Sequence, residues 1–169
     1  MNNYKEISPK ELNESAFKLI GSDWMLITAA KDETVNTMTA SWGGLGVLWN
    51  KNVVYIFIRP QRYTKEFVDA SSKFSLTFFD EAYKKDLSYL GTVSGKDEDK
   101  ISKTKLNINY IEDTPVFEEA KLTIICKKLY AQNLDPNCFI DKSLDNKCYP
   151  NKDYHTLYVA EVEKILVNS

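Results

Sequence analysis

Hydrophobic runs of strand length follow one another along this chain, and few of them are separated by helical patterns. The candidate strands occupy residues 24–30, 36–42, 53–59, 74–79, 122–134 and 154–167. Regular alternation of strands and helices is typical of doubly wound parallel sheets, so this order disfavours such a fold. It favours a mainly β fold, an antiparallel β-barrel or curled sheet with peripheral helices. Barrel closure would protect strands that are too hydrophobic to remain as bare edges.

Four segments carry helical patterns. Ser8, Pro9 and Glu11 have the spacing of an N-cap, a first-turn proline and a capping box, which predicts an N-terminal helix over residues 8–20. The other three helical segments are residues 64–71, 84–93 and 97–103.

Length and composition fit one globular domain over residues 1–169, with a barrel core at about residues 23–167. Hydrophobic residues make up 43% of the chain and charged residues 27%, which excludes a disordered chain. The net charge of −2 provides no basic field for nucleic acid. No apolar segment has the length of a membrane span or the form of a signal peptide. We therefore expect a cytoplasmic protein with no nucleic-acid or membrane partner.

Histidine and cysteine usage argues against a metal site. His155 is the single histidine, so one chain cannot build a multi-histidine site. Cys126, Cys138 and Cys148 are odd in number and widely spaced, which favours reduced, mostly structural thiols. A triad that used His155 would need a nucleophile motif such as G-x-S-x-G, which the sequence lacks.

The segment RPQRYTK, residues 59–65, places three cations between a hydrophobic strand and a predicted helix. Thr64 has the position of that helix's N-cap. Arg62, Lys65 and the hydroxyls of Tyr63 and Thr64 could together surround a phosphate. The alternative is a solvated charged turn with an ordinary cap, and the residues alone leave both interpretations open.

Two further segments are rich in small and polar residues. Residues 36–44, NTMTASWGG, combine a hydroxylated strand face with a Gly-Gly pair that permits close approach, which suits a flat ligand with polar edges. Residues 94–97, SGKD, form a turn. The alternative for residues 36–44 is an ordinary strand with a solvent-exposed hydroxyl face, and the alternative for residues 94–97 is an ordinary loop.

Together, in this order, the three segments resemble the flavin reductase-like, FMN-binding split-barrel family, which includes the flavoredoxins. The matching stretches are NTMTASWGG (36–44), RPQRYTKEF (59–67) and LGTVSGKDEDK (90–100). His155 and TLYVAEV (156–162) resemble the family's closing strand. Residues 133–152 match no motif of the family.

The resemblance implies a six-stranded antiparallel Greek-key split barrel that forms a homodimer and holds non-covalent FMN near the dimer interface. It implies that the isoalloxazine ring lies along Thr39, Ala40, Ser41 and Trp42. The implied phosphate ligands are Arg59, Arg62, Tyr63, Thr64 and Lys65. The residues implied to close over the flavin or its phosphate are Ser94, Gly95 and Lys96. Because a flavin supplies its own redox chemistry, no residue is assigned a catalytic role.

We therefore expect an FMN-dependent oxidoreductase that passes hydride or electrons from NAD(P)H or a protein donor, through FMN, to an acceptor. One alternative is an FMN-binding electron carrier without small-molecule turnover of its own. Another is a split-barrel protein that binds haem or a different ligand, since one histidine can ligate haem iron.

Overall fold

The computed structural model describes residues 4–168, and the bounds of its strands and α-helices are as follows. The strands are β1 (Tyr4–Ile7), β2 (Met25–Lys31), β3 (Thr34–Ala40), β4 (Gly43–Leu48), β5 (Lys51–Ile58), β6 (Lys73–Phe78), β7 (Ile108–Ile111), β8 (Thr114–Phe117), β9 (Leu122–Asn133) and β10 (Thr156–Asn168). The α-helices are α1 (Thr64–Ala70), α2 (Lys84–Thr92) and α3 (Lys142–Cys148).

One antiparallel sheet forms the body of the molecule. Its strand order is β3-β2-β6-β9-β10-β5-β4, with β1 paired to β10, and β7 and β8 form a separate hairpin. The two ends of this order, β3 and β4, are consecutive in the chain and are joined by Ser41 and Trp42. Within the described residues no hydrogen-bonded ladder links β3 to β4, so the barrel is split at this seam.

The predicted fold class is confirmed: a mainly β, antiparallel split barrel with peripheral helices. The main sheet has eight strands in the described residues, whereas the resemblance implies six. The sequence pattern did not reveal β4 as a separate strand because three of its six residues are Gly43, Gly44 and Gly46, which have weak strand propensity.

Two buried clusters lie on opposite faces of the sheet, and neighbouring residues of β2 contribute to different ones. Ile27 belongs to the barrel interior, while Leu26 packs in the cluster that includes Leu87 and Leu90 of α2. This alternation is expected of a strand buried on both faces. As a result α2 covers the outer face of the sheet next to the seam.

The continuous helix predicted over residues 8–20 is wrong. The Glu11 carboxylate does accept a hydrogen bond from the Ser8 backbone N–H at 2.7 Å, but only a 3₁₀ turn follows. A separate π-helical segment, Lys18–Asp23, has its own start, where the Ser15 hydroxyl accepts from the backbone at 3.4 Å. Serine readily bonds nearby backbone groups and therefore begins a new helical segment instead of continuing the first.

Predictions for the remaining elements had mixed outcomes. Helices α1 and α2 are confirmed to within one residue, but the helix predicted over residues 97–103 is reduced to a 3₁₀ turn at Ile101–Lys103. The polar stretch around α3 carried no clear helical pattern.

All three cysteines are free thiols, as predicted. None of the described helices is long and apolar enough to cross a membrane.

Candidate functional site

Strand register brings four ring- or charge-bearing residues to one end of the seam. The last residue of β5 pairs with the first residue of β10. Arg59, which follows β5, and His155, which precedes β10, therefore lie at the same end of the sheet. The β4–β5 register extends to place Trp42 across from Phe57. The seam therefore opens beside a cluster of rings contributed by three different strand ends.

These residues line a cavity of about 270 Å³, here called the aromatic cavity. The centroid of the Trp42 ring lies 5.3 Å from that of His155, and Phe57 meets His155 edge-on at 6.4 Å. Trp42 is half exposed, so one side of the cavity is open. Its lining consists of Met38, Thr39, Ala40, Ser41, Trp42, Phe57, Arg59, Arg62, Gly91 and His155.

His155 is a buried, neutral member of this cavity. Its Nδ1 atom lies 2.7 Å from the Tyr149 hydroxyl oxygen. Burial, assisted by the positive charge of Arg59, lowers the pKa of His155 to about 4. The imidazole is therefore uncharged near neutral pH and acts there as a hydrogen-bonding group, not as a cation.

Arg59 joins the barrel to residues 135–153, which contain α3 and are here called the strap. Its guanidinium pairs with the Asp153 carboxylate at 2.8 Å and donates to the Cys148 carbonyl oxygen at 2.9 Å. It also lies 4.9 Å from the centroid of the Tyr149 ring. The charge of Arg59 is thus balanced within the protein, and the strap, which includes most of the segment that matched no family motif, contacts two residues of the cavity lining, Arg59 and His155.

A second, polar cavity of about 170 Å³ adjoins the first. Met38 and Arg62 line both, so the two cavities meet at these side chains. Hydroxyl, amide and cationic groups dominate the polar cavity, which is lined by Asn36, Met38, Gln61, Arg62, Tyr63, Thr64, Thr92, Val93, Ser94, Gly95 and Lys100.

Lys100 is a buried cation that the sequence interpretation did not assign to the site. It is 3% exposed, and its ammonium donates to the carbonyl oxygens of Leu90 and Val93 at 2.7 and 2.8 Å, at the end of α2. Burial, together with the charge of Arg62, lowers its pKa to about 8. Its context, DEDK, is typical of a solvated turn, so the sequence offered no sign of this burial.

Arg62 supplies the second cation. Its Nη1 atom donates to the Gly91 carbonyl oxygen at 3.0 Å, and burial lowers the pKa of the guanidinium. Among residues 4–168 no carboxylate forms an ion pair with Arg62 or with Lys100. A buried and a partly buried cation without a counter-ion are costly unless an anion joins them, so the polar cavity has the composition of an anion site.

Thr64 is buried in this cavity, where its hydroxyl accepts from the Asn36 side-chain amide at 3.0 Å. The prediction that Thr64 caps α1 is wrong: Tyr63 occupies the N-cap position, and the Thr64 hydroxyl makes no cap hydrogen bond. The turn before the helix already gives Tyr63 a helical backbone, so Thr64 is the first residue of the helix proper. Gly95 packs against the same amide, and a Cβ there would lie 2.2 Å from Asn36 Oδ1.

Comparison with known proteins agrees with this architecture. Residues 17–169 match the family described as "Flavin reductase like domain". The chain belongs to the flavin reductase-like family. A search of curated protein sequences found no match.

Solved structures similar to this flavin reductase-like domain share its fold at low identity. An FMN-binding domain of a flavin reductases-like enzyme from Shewanella baltica has a TM-score of 0.72 at 18% identity, covering 99% of this chain and 78% of that one. A flavoredoxin of Desulfovibrio vulgaris has a TM-score of 0.69 at 19% identity, with 96% and 78% covered. A flavoredoxin from Methanosarcina acetivorans has a TM-score of 0.65 at 21% identity, with 85% and 67% covered.

The flavin reductase-like domain brings most of the predicted site residues together. Those at the aromatic cavity are Thr39, Ala40, Ser41, Trp42 and Arg59; those at the polar cavity are Tyr63, Thr64, Ser94 and Gly95; Arg62 lines both. Lys65 and Lys96 line neither cavity: Lys65 pairs with Asp69 at 2.7 Å, and Lys96 with Glu66 at 3.7 Å. The residues that sequence reasoning left without a role include Met38, Phe57, Gln61, Gly91 and Lys100.

The hydroxyl face predicted on β3 is covered rather than open to solvent. Thr37 is fully buried and bonds Thr28, and the Thr39 hydroxyl donates to the Leu87 carbonyl oxygen of α2. The strand therefore offers the cavity its backbone and the side chains near its end, while the Thr39 hydroxyl holds α2 and the Thr37 hydroxyl bonds within the sheet.

Proposed function

We propose that this flavin reductase-like domain binds FMN without a covalent bond and acts as an FMN-dependent oxidoreductase. It would pass hydride or electrons from NAD(P)H or a protein donor to an acceptor. The observation that carries the proposal is the pair of cations, partly buried Arg62 and buried Lys100, that line a polar cavity adjoining an aromatic one. A ligand with an anionic end and a flat ring end fits that arrangement.

The polar cavity fits the phosphate of FMN. Arg62 can offer its remaining guanidinium N–H groups, and Lys100 has three donors, of which two are used by backbone carbonyls. The hydroxyls of Thr64 and Ser94 add neutral donors. Gly95 brings the loop against β3, so the anion would be held at the closed end of the site.

The aromatic cavity fits the ring system. Trp42 and Phe57 offer flat apolar surface, and residues 39–41 border the cavity with strand backbone. Arg59 is neutralised by Asp153, so the ring end of the site carries little net charge. When bound, FMN would supply the hydride or electron transfer chemistry. The chain's own residues would bind it, orient it and exclude water from one face.

A homodimer is the proposed assembly, as the resemblance implies. Exposed apolar side chains of β4 and β9 support it: Val47 is 69% exposed, and Leu129 and Tyr130 are 37% and 43% exposed. Just beyond β4, the Trp49 ring lies 6.1 Å from that of Tyr130. In the described residues β4 pairs only with β5, so its other edge is available to a second copy.

The visible absorption spectrum of the purified protein, with thermal unfolding at increasing FMN, tests the proposal. A flavin spectrum, or a transition temperature that rises with FMN concentration, is expected because a ligand that binds only the native state stabilises it by mass action. A haem spectrum, or no response to FMN, would contradict it. Oxidation of NADH and NADPH, measured with and without free flavin, then separates an enzyme from an electron carrier.

A further inference from the structure

The strap places one tyrosine hydroxyl against the single histidine. Within the described residues the side-chain partner of the Tyr149 hydroxyl is His155 Nδ1 at 2.7 Å, and Tyr149 is only 5% exposed. A buried hydroxyl hydrogen needs an acceptor, so Tyr149 donates and Nδ1 accepts. A neutral imidazole whose Nδ1 accepts must carry its proton on Nε2.

The other ring nitrogen, Nε2, makes no hydrogen bond to the described residues. This atom is not among the buried side-chain atoms left without a partner. His155 also lines the aromatic cavity. The Nε2–H group is therefore a donor that the protein leaves for an occupant of that cavity.

We propose that Tyr149 is a positioning residue that fixes neutral His155 as its Nε2–H tautomer. His155 then presents a hydrogen-bond donor to a carbonyl oxygen or ring nitrogen of a planar ligand in the aromatic cavity. The identity of that ligand, the flavin or its nicotinamide partner, rests on the proposed function, whereas the tautomer does not.

The surroundings of Tyr149 hold its hydroxyl in this position. Its ring packs on Tyr154 at 4.9 Å and on Phe139 at 6.0 Å, and the Arg59 guanidinium covers it. The charged groups near His155 are Arg59, which disfavours the imidazolium, and Asp153, which favours it. Burial is the larger effect, so the ring remains a neutral donor.

Nitrogen NMR of the free protein tests the tautomer without any flavin. Because His155 is the only histidine, ¹⁵N-histidine labelling gives one unambiguous pair of ring signals. Near neutral pH we expect a protonated Nε2 and an unprotonated Nδ1. A protonated Nδ1, in either the other tautomer or the imidazolium, would overturn the proposal in the wild-type protein alone.

Two matched variants test the role of Tyr149. Tyr149→Phe keeps the ring and removes the hydroxyl, and we expect a mixture of tautomers. Tyr154→Phe removes the hydroxyl of the residue that directly follows the strap; this hydroxyl donates to Asp145 at 2.6 Å and not to His155, so we expect the wild-type signals. An unchanged tautomer in Tyr149→Phe would show that Tyr149 does not set it.

Ligand titrations identify what receives the hydrogen bond. The Nε2–H signal should move on addition of FMN if the flavin accepts it, or only on addition of NAD⁺ or NADP⁺ to the FMN complex if the nicotinamide does. Movement with neither ligand would overturn the donor role. FMN binding is followed by flavin fluorescence in the same samples, so failure of the proposed function is recognised separately.

Discussion

Arg62 and Lys100 line the same polar cavity, and no carboxylate among the described residues forms an ion pair with either of them. Each instead donates to backbone carbonyls at or next to the C-terminal end of α2. A helix C-terminus stabilises nearby cations, so the fold can hold both charges ready before an anion arrives. The first two predictions follow from this relationship.

Arg62→Ala should weaken FMN binding by about 10- to 100-fold, since a hydrogen bond to a charged group contributes roughly 1.5–3 kcal/mol. Riboflavin, which lacks the phosphate, should lose much less affinity. Lys65→Ala is the matched control, because Lys65 pairs with Asp69 and lines neither cavity. Fluorescence titration with both ligands provides the measurement, and equal losses for FMN and riboflavin would contradict the assignment.

The affinity for FMN should fall as the pH rises above about 8, the pKa of Lys100 in the free site. Deprotonation removes a positive charge from the polar cavity, and the loss can approach about tenfold per pH unit. Riboflavin affinity should not follow this trend. Lys100→Arg keeps its charge at high pH and should flatten the dependence if the longer side chain is accommodated. A wild-type affinity that is constant across this range would show that Lys100 does not contribute to phosphate binding.

Gly95→Ala should reduce both stability and FMN affinity. The added Cβ would lie 2.2 Å from Asn36 Oδ1, so the amide must move and its hydrogen bond to Thr64 is lost. Gly21→Ala is the control, because a Cβ at Gly21 meets nothing within 4 Å. Thermal unfolding of both variants provides the comparison. A second substitution, Asn36→Ala, should recover part of the stability lost in Gly95→Ala if the overlap is the cause.

Mild acid should destabilise the fold through His155. Its pKa is about 4 in the folded protein and near 6.5 when unperturbed, so the unfolded chain binds the proton more readily between those values. The contribution is fully present above about pH 6.5 and is lost as the pH falls toward 4, by at most about 3 kcal/mol. His155→Gln should show a smaller loss in chemical denaturation over this range, and an identical pH dependence would exclude His155 as the source.

Trp49→Glu should dissociate the proposed homodimer. A carboxylate beside Tyr130 would carry an uncompensated charge into an apolar contact. Phe17→Glu is the control: it replaces an even more exposed aromatic residue, 92% against 55%, in the N-terminal segment. Light scattering after size exclusion gives the mass. A monomeric wild-type protein, or a Trp49→Glu variant that remains dimeric, would reject this surface.

The main strands could be read from sequence because alternation and β-branched content are local properties. β-Branched and aromatic residues such as Val53 and Val54 predicted β5, and a similar hydrophobic run predicted β6. The prediction of one continuous N-terminal helix was wrong because Ser15 starts a second helical segment. Composition does not show whether a serine continues a helix or begins a new one. Strand β4 was not recognised because pairing with β5, and not strand propensity, holds its glycines in place.

The candidate site divides in the same way. Arg62, Tyr63 and Thr64 stand in one short segment, so their proximity followed from sequence. Lys65 belongs to that segment as well, yet helix geometry turns it toward Asp69, four residues along. Spacing alone cannot tell which member of a charged cluster faces a cavity.

The sequence by itself determined that the chain forms an antiparallel barrel of the flavin reductase-like family, because hydrophobic periodicity and short ordered motifs are encoded locally. Tertiary structure alone decided that Lys100 is buried beside Arg62, that Asp153 neutralises Arg59, and that Tyr149 of the strap meets His155. The two residues of each pair lie in separate elements and come into contact only when the chain folds. The pKa values of Lys100 and His155 depend on burial, which exists only once those elements have packed.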